Sequence, residues 1–120
     1  MSFDFNNDIP IYLQIIENIK MQIINKEYNA GDKLPSVREL SVLYAVNPNT
    51  IQKALGELEE IGLIFTERTN GKFVTEDMKV INKIKAETLK GKIDAFLEDM
   101  LQMGIDSQEI IEIIKNKEQA

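Results

Sequence analysis

The 120-residue sequence contains no cysteine, no histidine and no tryptophan. Without cysteine the chain forms no disulfide and offers no zinc–thiolate site and no thiol nucleophile. Without histidine it lacks the side chain that proteins use most often as a general acid or base and as a metal ligand. No pair of carboxylates or lysines stands out as a substitute. We therefore expect a protein that is not an enzyme and that needs no metal and no cofactor.

Long apolar segments are missing as well. No apolar run approaches the roughly 18 residues that a membrane-spanning helix needs. The amino-terminal sequence is acidic and polar, unlike a secretory signal. With no signal and no cysteine, the cytoplasm is the expected compartment, and no membrane partner is expected.

Positive charge is in short supply. The chain has 14 lysines and arginines against 20 aspartates and glutamates, a net charge of −6, and both halves are acidic. Nucleic-acid-binding domains are usually basic. A nucleic-acid-binding function would therefore require a fold that places the few positive charges on one face, and non-specific affinity would be weak and strongly salt-dependent.

Two helices are predicted at the start of the chain. Apolar residues recur at three- and four-residue spacing over 8–26, which predicts an amphipathic helix capped by Asp8 or a neighbouring asparagine. Ser36-Val37-Arg38-Glu39 has the spacing of a capping box and begins a second, short helix that ends near Tyr44. The buried stripe of this second helix is expected to contain Val37, Leu40 and Leu43.

A third helix and a hairpin follow. Asn47-Pro48 is a helix cap followed by proline at the first helical position, and Gly62 is a suitable terminator for a helix over 47–61. Two β-prone runs, 63–68 and 72–75, are joined by Asn-Gly, the strongest short signal for a hairpin. The buried face of the third helix is expected to contain Ile51, Ala54, Leu55, Leu58 and Ile61. Residues 1–76 therefore predict a winged helix-turn-helix domain, in a chain that is mainly α with a small β-hairpin wing.

Residues 77–120 predict a two-helix tail. A long helix, weakened at Gly91, is expected to end at Gly104, and a short helix restarts near Ser107. About 40 residues are too few to form an independent core. The apolar face of the tail must therefore pack on the first domain or on a second copy of the chain, and we favour a four-helix dimer interface. The residues predicted for this interface are Ile84, Ile93, Phe96, Leu97, Met100, Leu101, Ile110 and Ile114.

Polar side chains cluster at the amino end of the third helix. Asn49, Thr50, Gln52 and Lys53 are residue types that read base edges or hold phosphates. The free N–H groups at the start of a helix also favour a phosphate. The same residues also fit an ordinary solvated face beside a helix cap, and this helix taken alone favours that interpretation.

Two other places on the predicted fold offer DNA contacts. Arg38, in the first turn of the second helix, is positioned to clamp a phosphate, unless it pairs with Glu39 or Asp32. The tip Asn70-Gly71-Lys72 is able to enter a minor groove, because glycine permits close backbone approach; otherwise it is a plain hairpin turn. These sites are informative together, since one fold places them on one face.

Five segments carry a resemblance to a known family. They are residues 10–15, 31–40, 47–55 and 58–64 and the wing tip Gly71-Lys72. Their order and spacing resemble the GntR family of winged helix-turn-helix repressors, over roughly residues 8–76. The short helical tail resembles the YtrA subfamily.

The resemblance implies a homodimeric transcription regulator that binds a palindromic operator in double-stranded DNA. Helix 47–61 would lie in the major groove and the wing over 63–75 in the adjacent minor groove. In the family, the residues corresponding to Arg38, Thr50 and Gly71 contact DNA. The predicted DNA-contacting residues are Ser36, Arg38, Asn47, Asn49, Thr50, Gln52, Lys53, Asn70, Gly71 and Lys72.

One departure from the family pattern affects specificity. Many relatives carry arginine at the position of Gln52, and some carry a basic residue at that of Pro48. Fewer charges at this helix suggest weaker phosphate attraction. Glutamine pairs best with adenine, so the base preference is expected to differ.

The sequence is compatible with two functional hypotheses from different classes. The leading hypothesis is a sequence-specific DNA-binding regulator, and the alternative is a winged-helix protein-interaction module that does not bind DNA. Basic residues gathered on one surface would favour the first, and Glu57, Glu59 and Glu60 facing the same way would favour the second. The tail is too small to enclose a ligand pocket within one chain, so a small-molecule effector of unknown identity would bind between subunits or between the tail and the winged helix.

Overall fold

The computed structural model describes residues 3–119, and this part of the chain is mainly helical with one β-hairpin, as predicted. The chain divides into two compact units, one ending at Lys83 and the other beginning at Ile84. None of the helices within residues 3–119 is long and apolar enough to cross a lipid bilayer. In chain order the elements are α1 (Ile11–Ile24), α2 (Val37–Tyr44), α3 (Pro48–Glu60), β1 (Ile64–Glu67), β2 (Gly71–Val74), α4 (Met78–Gln102) and α5 (Ser107–Gln119).

Helix α1 begins later than the sequence predicted, and Asp8 does not cap it. The residue at the cap position is Pro10, which has no side-chain oxygen to offer to the first N–H groups. Gln14 instead holds the preceding segment, since its side-chain amide donates to the carbonyl oxygens of Asn6 and Ile9 at 2.7 and 2.8 Å. The entry to α1 is thus fixed by side-chain contacts that span five and eight residues and that the apolar pattern did not indicate.

The core of the first unit lies where α1 packs against α3. The buried side chains of α1 recur at three- and four-residue spacing, as do those of α3, so each helix buries one stripe. Each fully buried aliphatic side chain contributes about 1.5–3 kcal/mol relative to an exposed one. The side chains that form this core are Ile15, Ile16, Ile19, Ile23, Ile51, Ala54, Leu55 and Leu58.

Helix α2 has the predicted capping box but a different buried stripe. The Ser36 hydroxyl accepts from the Glu39 N–H, and the Glu39 carboxylate accepts from the Ser36 N–H, both at 3.0 Å. Leu43 is 51% exposed, whereas Tyr44 is buried. The Asn18 side chain donates to the Tyr44 hydroxyl at 2.6 Å, which satisfies the polar end of the buried ring. The prediction of Leu43 was therefore wrong. Both residues lie one turn from Leu40, and Tyr44 is the one that finds a polar partner, in Asn18.

Helix α3 has the predicted bounds within one residue. The Asn47 side chain accepts from the Asn49 N–H at 2.8 Å, and Pro48 occupies the first helical position. Gly62 has the positive φ, +83°, that ends the helix. Ile61 is 47% exposed rather than buried, because the helix has already ended at Glu60.

The wing is an antiparallel hairpin extended by a third short segment. In its register Thr66 faces Lys72 and Phe65 faces Phe73. Residues 31–34 run beside β2, joined to it by backbone hydrogen bonds of 2.8–3.0 Å and by a bridge between Lys33 and Phe73. This pairing joins the loop before α2 to the wing.

The tail folds into the two predicted helices. Helix α4 continues through Gly91 without a break, so the predicted weakening is absent. Gly104, at φ +75°, follows it, and the Asp106 carboxylate accepts from the Glu109 N–H at 3.0 Å at the start of α5. Most apolar side chains of this second unit are exposed.

Candidate nucleic-acid interface

The polar side chains at the start of α3 are directed outward by the burial of the opposite face. Asn49, Gln52 and Lys53 are exposed, and Thr50 is half-buried. Residues three or four apart share one face of a helix, so anchoring one stripe fixes the direction of the other. The anchoring side chains on the same turns are Ile51, Ala54 and Leu55, which have no exposed area.

Asn47 has a structural task in this arrangement. Its side-chain oxygen is engaged with the Asn49 N–H, which satisfies one of the unpaired donors at the start of α3. A cap of this kind contributes about 1 kcal/mol to helix stability. Its predicted DNA contact would therefore have to coexist with the cap.

Lys53 is held by an aromatic ring. Its ammonium nitrogen lies 4.0 Å from the centroid of the Tyr12 ring, within the range of a cation–π interaction. Tyr12 is half-buried at the start of α1, and Lys53 is exposed. The two side chains border a shallow cleft together with Ile11, Asn49 and Thr50.

The start of α2 leaves Arg38 exposed and without a carboxylate partner among residues 3–119. The pairing with Glu39 or Asp32 that the sequence allowed is not formed, because both carboxylates accept backbone N–H groups instead. The backbone and side-chain hydrogen bonds to Ser36, and secondarily the charge of Lys33, lower the pKa of the exposed Glu39 carboxyl. Ser36 is occupied as the cap, while the Arg38 guanidinium keeps its donors for another acceptor.

The wing tip is more self-contained than the sequence indicated. Successive residues of a strand point to opposite faces, so Thr66 and Lys72 share one side of the hairpin. There the Thr66 hydroxyl donates to the Glu59 carboxylate, and the Lys72 ammonium donates to the Thr66 hydroxyl at 2.8 Å. Lys72 lies 3.7 Å from the same carboxylate. Its charge is therefore partly neutralised by α3.

The remaining tip residues are exposed. The Asn70 side chain donates to Glu67 at 3.1 Å, and Gly71 has a φ of +103°, which only glycine adopts without strain. Arg68 is exposed and has no carboxylate partner within the described chain.

Lys33 is a basic residue that the sequence prediction of the site missed. A Cβ on Gly71 would lie 3.3 Å from the Lys33 Cε atom, so this side chain runs along the wing tip. The same lysine is close enough to Glu39, in the first turn of α2, to affect its pKa. Lys33 therefore adds a basic side chain to the wing tip. The backbone bridge to β2 brings Lys33 to this position, and no local motif signals it.

The acidic residues of α3 do not all face one way. Glu57 and Glu60 line a cleft with Leu13 and Glu17 of α1, whereas Glu59 contacts the wing. Glu59 is the member of this group that contacts a predicted DNA-contacting residue. Residues 3–119 contain no cluster of acidic side chains arranged to hold a metal ion.

The predicted dimer residues fall into two groups. Ile84 and Ile110 are buried within the single chain, and the others are exposed or half-exposed. Leu101, at 71%, is the most exposed of them. Apolar residues along α4 and just after its end recur with alternating spacings of four and three. They define an apolar stripe of Leu89, Ile93, Phe96, Met100 and Met103, in which Met100 is half-buried and the others are exposed.

Comparison with known proteins identifies the family. The model of bacterial regulatory proteins of the gntR family matches residues 11–74, just over half of the chain. The HTH-type transcriptional regulator YhcF of Bacillus subtilis is 37% identical over 96% of this chain and 95% of its own length. The HTH-type transcriptional repressor YtrA of the same organism is 35% identical over 96% of this chain and 89% of its own.

The solved structures that resemble this chain include a regulator of the same family. A GntR family transcriptional regulator from Listeria monocytogenes has a TM-score of 0.88 and 42% identity, over 93% of this chain and 98% of the other. AraR(DBD) in complex with operator ORX1 has a TM-score of 0.58 and 28% identity, over 62% of this chain and 95% of the other. The expectation of a protein that is not an enzyme is confirmed, because these relatives are regulators. The chain belongs to the GntR family and is a transcriptional regulator with a winged helix-turn-helix domain and a YtrA-like short tail.

Proposed function

We propose that the chain is a cytoplasmic repressor that binds a palindromic operator as a homodimer, with residues 47–61 in the major groove and residues 63–75 at the adjacent minor groove. The observation that carries this proposal is the exposed polar face at the start of α3, set on a fully buried opposite face. A repressor among the relatives and an operator-bound structural neighbour support it.

Base readout is assigned to the exposed side chains of α3. Gln52 has an amide that is able to make the bidentate pair with adenine, and Asn49 lies one turn earlier with the same chemistry. Thr50 is short and half-buried, which suits contact with a phosphate or a thymine methyl group.

Phosphate contacts are assigned to the basic side chains without an acidic partner in the described chain. Arg38 lies at the start of α2, Arg68 lies at the wing tip, and the Lys33 side chain lies beside Gly71 of the wing. Because these charges are few and the net charge is −6, non-specific affinity is expected to be low. Specific binding then depends on base contacts and on two half-sites bound together.

The apolar stripe of α4 supports a second copy of the chain as the dimer partner. Spacings that alternate between four and three keep a stripe on one side of a helix and suit packing against an equivalent helix. Monomeric proteins rarely leave large contiguous apolar patches exposed. An identical partner also matches the two-fold symmetry of a palindrome, with half-sites about 34 Å apart.

The direct test is selection of duplexes from a random-sequence library by the wild-type protein, followed by fluorescence anisotropy at several salt concentrations. We expect one palindromic motif to be enriched. Arg38→Ala is expected to weaken binding to all duplexes and to reduce the salt slope by about 0.9 per half-site, as for one lost phosphate contact. Gln52→Ala is expected to relax preference at one position, worth about 1–3 kcal/mol.

Lys117→Ala provides the matched control, because it removes one positive charge from α5, outside the winged helix. Its affinity is expected to equal that of the wild type. An absence of sequence-preferring, salt-sensitive binding would defeat the proposed function. Unchanged binding by both Arg38→Ala and Gln52→Ala would instead reject the assigned contacts.

A further inference from the structure

We propose that Tyr12 is a positioning residue for DNA binding, whose ring holds the Lys53 ammonium at the start of α3 where it meets a phosphate. This inference rests on the proposed function. It assigns a role to a residue of α1, a helix that the sequence indicated only as core.

The contact fixes Lys53 through the rigid part of the fold. The Lys53 ammonium lies 4.0 Å from the centroid of the Tyr12 ring. The ring belongs to the first turn of α1, and Ile15, one turn later, has no exposed area. Ile51 and Leu55 on α3 are equally buried, and α1 packs on α3. The ring is therefore fixed relative to the helix that carries Lys53.

The charge of Lys53 stays available, unlike that of several other lysines. Lys20, Lys72 and Lys90 each pair with a carboxylate at 3.0–3.7 Å. Among residues 3–119, Lys53 has no carboxylate within that range. An aromatic face attracts the ammonium through its quadrupole but carries no net charge. Lys53 remains exposed and therefore keeps its full charge and free N–H groups for a phosphate oxygen.

The surroundings of the pair match the proposed interface. Tyr12 and Lys53 border one shallow cleft with Asn49 and Thr50, two of the predicted DNA-contacting residues. Ile11, also on α1, lines the same cleft. A phosphate approaching this cleft would meet Lys53 beside the polar start of α3.

The benefit to binding is an entropic one. A free lysine side chain has many rotamers, and ordering it on binding reduces affinity. A side chain already held by a ring loses less freedom when it meets the phosphate. An exposed cation–π contact corresponds to about a two- to fivefold effect on affinity for each half-site. A dimer with two half-sites would show roughly the square of that factor.

The test compares Tyr12→Phe and Tyr12→Leu, each alone and combined with Lys53→Met. Phenylalanine retains the ring face, leucine removes it, and methionine keeps the length of Lys53 without its charge. The probe is the duplex that the wild-type protein enriches from a random-sequence library, and affinity is measured by anisotropy over a salt series. Thermal unfolding of each variant is followed by circular dichroism.

We expect Tyr12→Leu to lower affinity by roughly four- to twenty-five-fold on a two-half-site duplex, and Tyr12→Phe to rescue that loss. Lys53→Met should reduce the salt slope by about 0.9 per half-site. In the Lys53→Met background, Tyr12→Leu should cause no further loss, because the ring acts through the ammonium.

Three results would overturn the inference while the proposed function stands. They are wild-type affinity for Tyr12→Leu, an equal loss for Tyr12→Phe and Tyr12→Leu, and an additive loss in the Lys53→Met background. The second result would mean that the phenol hydroxyl, and not the ring face, supports binding. The third would mean that Tyr12 acts through α1 itself and not through Lys53. Failure of the wild-type protein to enrich any duplex would instead reject the proposed function.

Discussion

In the unit that ends at Lys83, most apolar side chains of three helices and a hairpin are buried together, whereas in the unit from Ile84 onward most apolar side chains are exposed. The first unit also satisfies many of its polar groups internally. Its caps occupy Ser36 and Asn47, and Glu59 partly neutralises Lys72. The second unit has caps but little core.

The difference follows from the number of neighbours available to each helix. A helix buries only the stripe that faces another element. In the first unit α1, α2, α3 and the wing supply such surfaces to one another. Within its own unit, the part of α4 beyond Lys83 has only the short α5. The winged helix therefore buries its apolar side chains within one chain, whereas the tail is expected to bury its own only in a dimer.

The largest expected effect comes from a charge placed in the apolar stripe. Phe96→Glu should convert the proposed dimer to a monomer, because a buried unpaired carboxylate is strongly unfavourable. Loss of the linked second half-site should lower operator affinity by about a hundredfold or more. Light scattering and anisotropy on the same samples measure both quantities.

The control for this change is Gln102→Glu. It adds the same negative charge to an exposed position of α4 outside the stripe, and it should leave both the mass and the affinity unchanged. A wild-type protein that is monomeric at micromolar concentration would refute the dimer directly.

A smaller effect is expected on the free energy of unfolding, and it should differ between the two units. Leu55→Ala should lower the free energy of unfolding by about 2–5 kcal/mol, because this fully buried side chain leaves a cavity. Leu101→Ala, at a site 71% exposed, should change the stability of the monomer by less than about 0.5 kcal/mol. Urea unfolding at dilutions where the protein is monomeric measures both. Similar losses for the two variants would erase the contrast between the units.

The sequence predicted best the features that depend only on neighbouring residues. The Ser36–Glu39 capping box, the Asn47 cap and the positive φ of Gly62 each depend on a few consecutive residues. Whether these features form depends little on the rest of the chain. For this reason the helix-turn-helix was predictable almost to the residue.

The errors in the fold lie where the hydrogen-bond partner of a side chain decides. Tyr44 rather than Leu43 is buried because it meets Asn18 of another helix. Gln14 rather than Asp8 fixes the entry to α1. No local periodicity contains this information, since both outcomes depend on which side chain finds a partner after packing.

The candidate site was predictable only in part for the same reason. The exposure of Asn49, Gln52 and Lys53 follows from helical spacing, and the structure agrees with it. The partners of the basic residues do not follow from spacing. Lys33 reaches the wing tip through a backbone bridge, and Lys72 turns towards α3 because of its strand register.

The smallest expected effect comes from the pairing of Lys72 with Glu59 within the first unit, which we expect to limit DNA binding. Glu59 and Thr66 hold the Lys72 ammonium against α3. Glu59→Gln removes the charge that attracts Lys72 but keeps the size of the side chain. We expect a modest gain in affinity and a salt slope steeper by up to about 0.9 per half-site, as Lys72 becomes available to a phosphate.

Glu60→Gln separates this effect from a general change in charge. It alters the net charge equally on the same helix, but Glu60 lies in the cleft beside α1 rather than at the wing. If both variants steepen the slope equally, long-range charge alone explains the gain. If Glu59→Gln weakens binding, the Glu59–Thr66–Lys72 contacts instead hold the wing in the orientation that DNA requires. A selective steepening for Glu59→Gln would mean that the first unit gives up part of its DNA affinity to satisfy its own charges, and that specific binding relies all the more on the tail joining two half-sites.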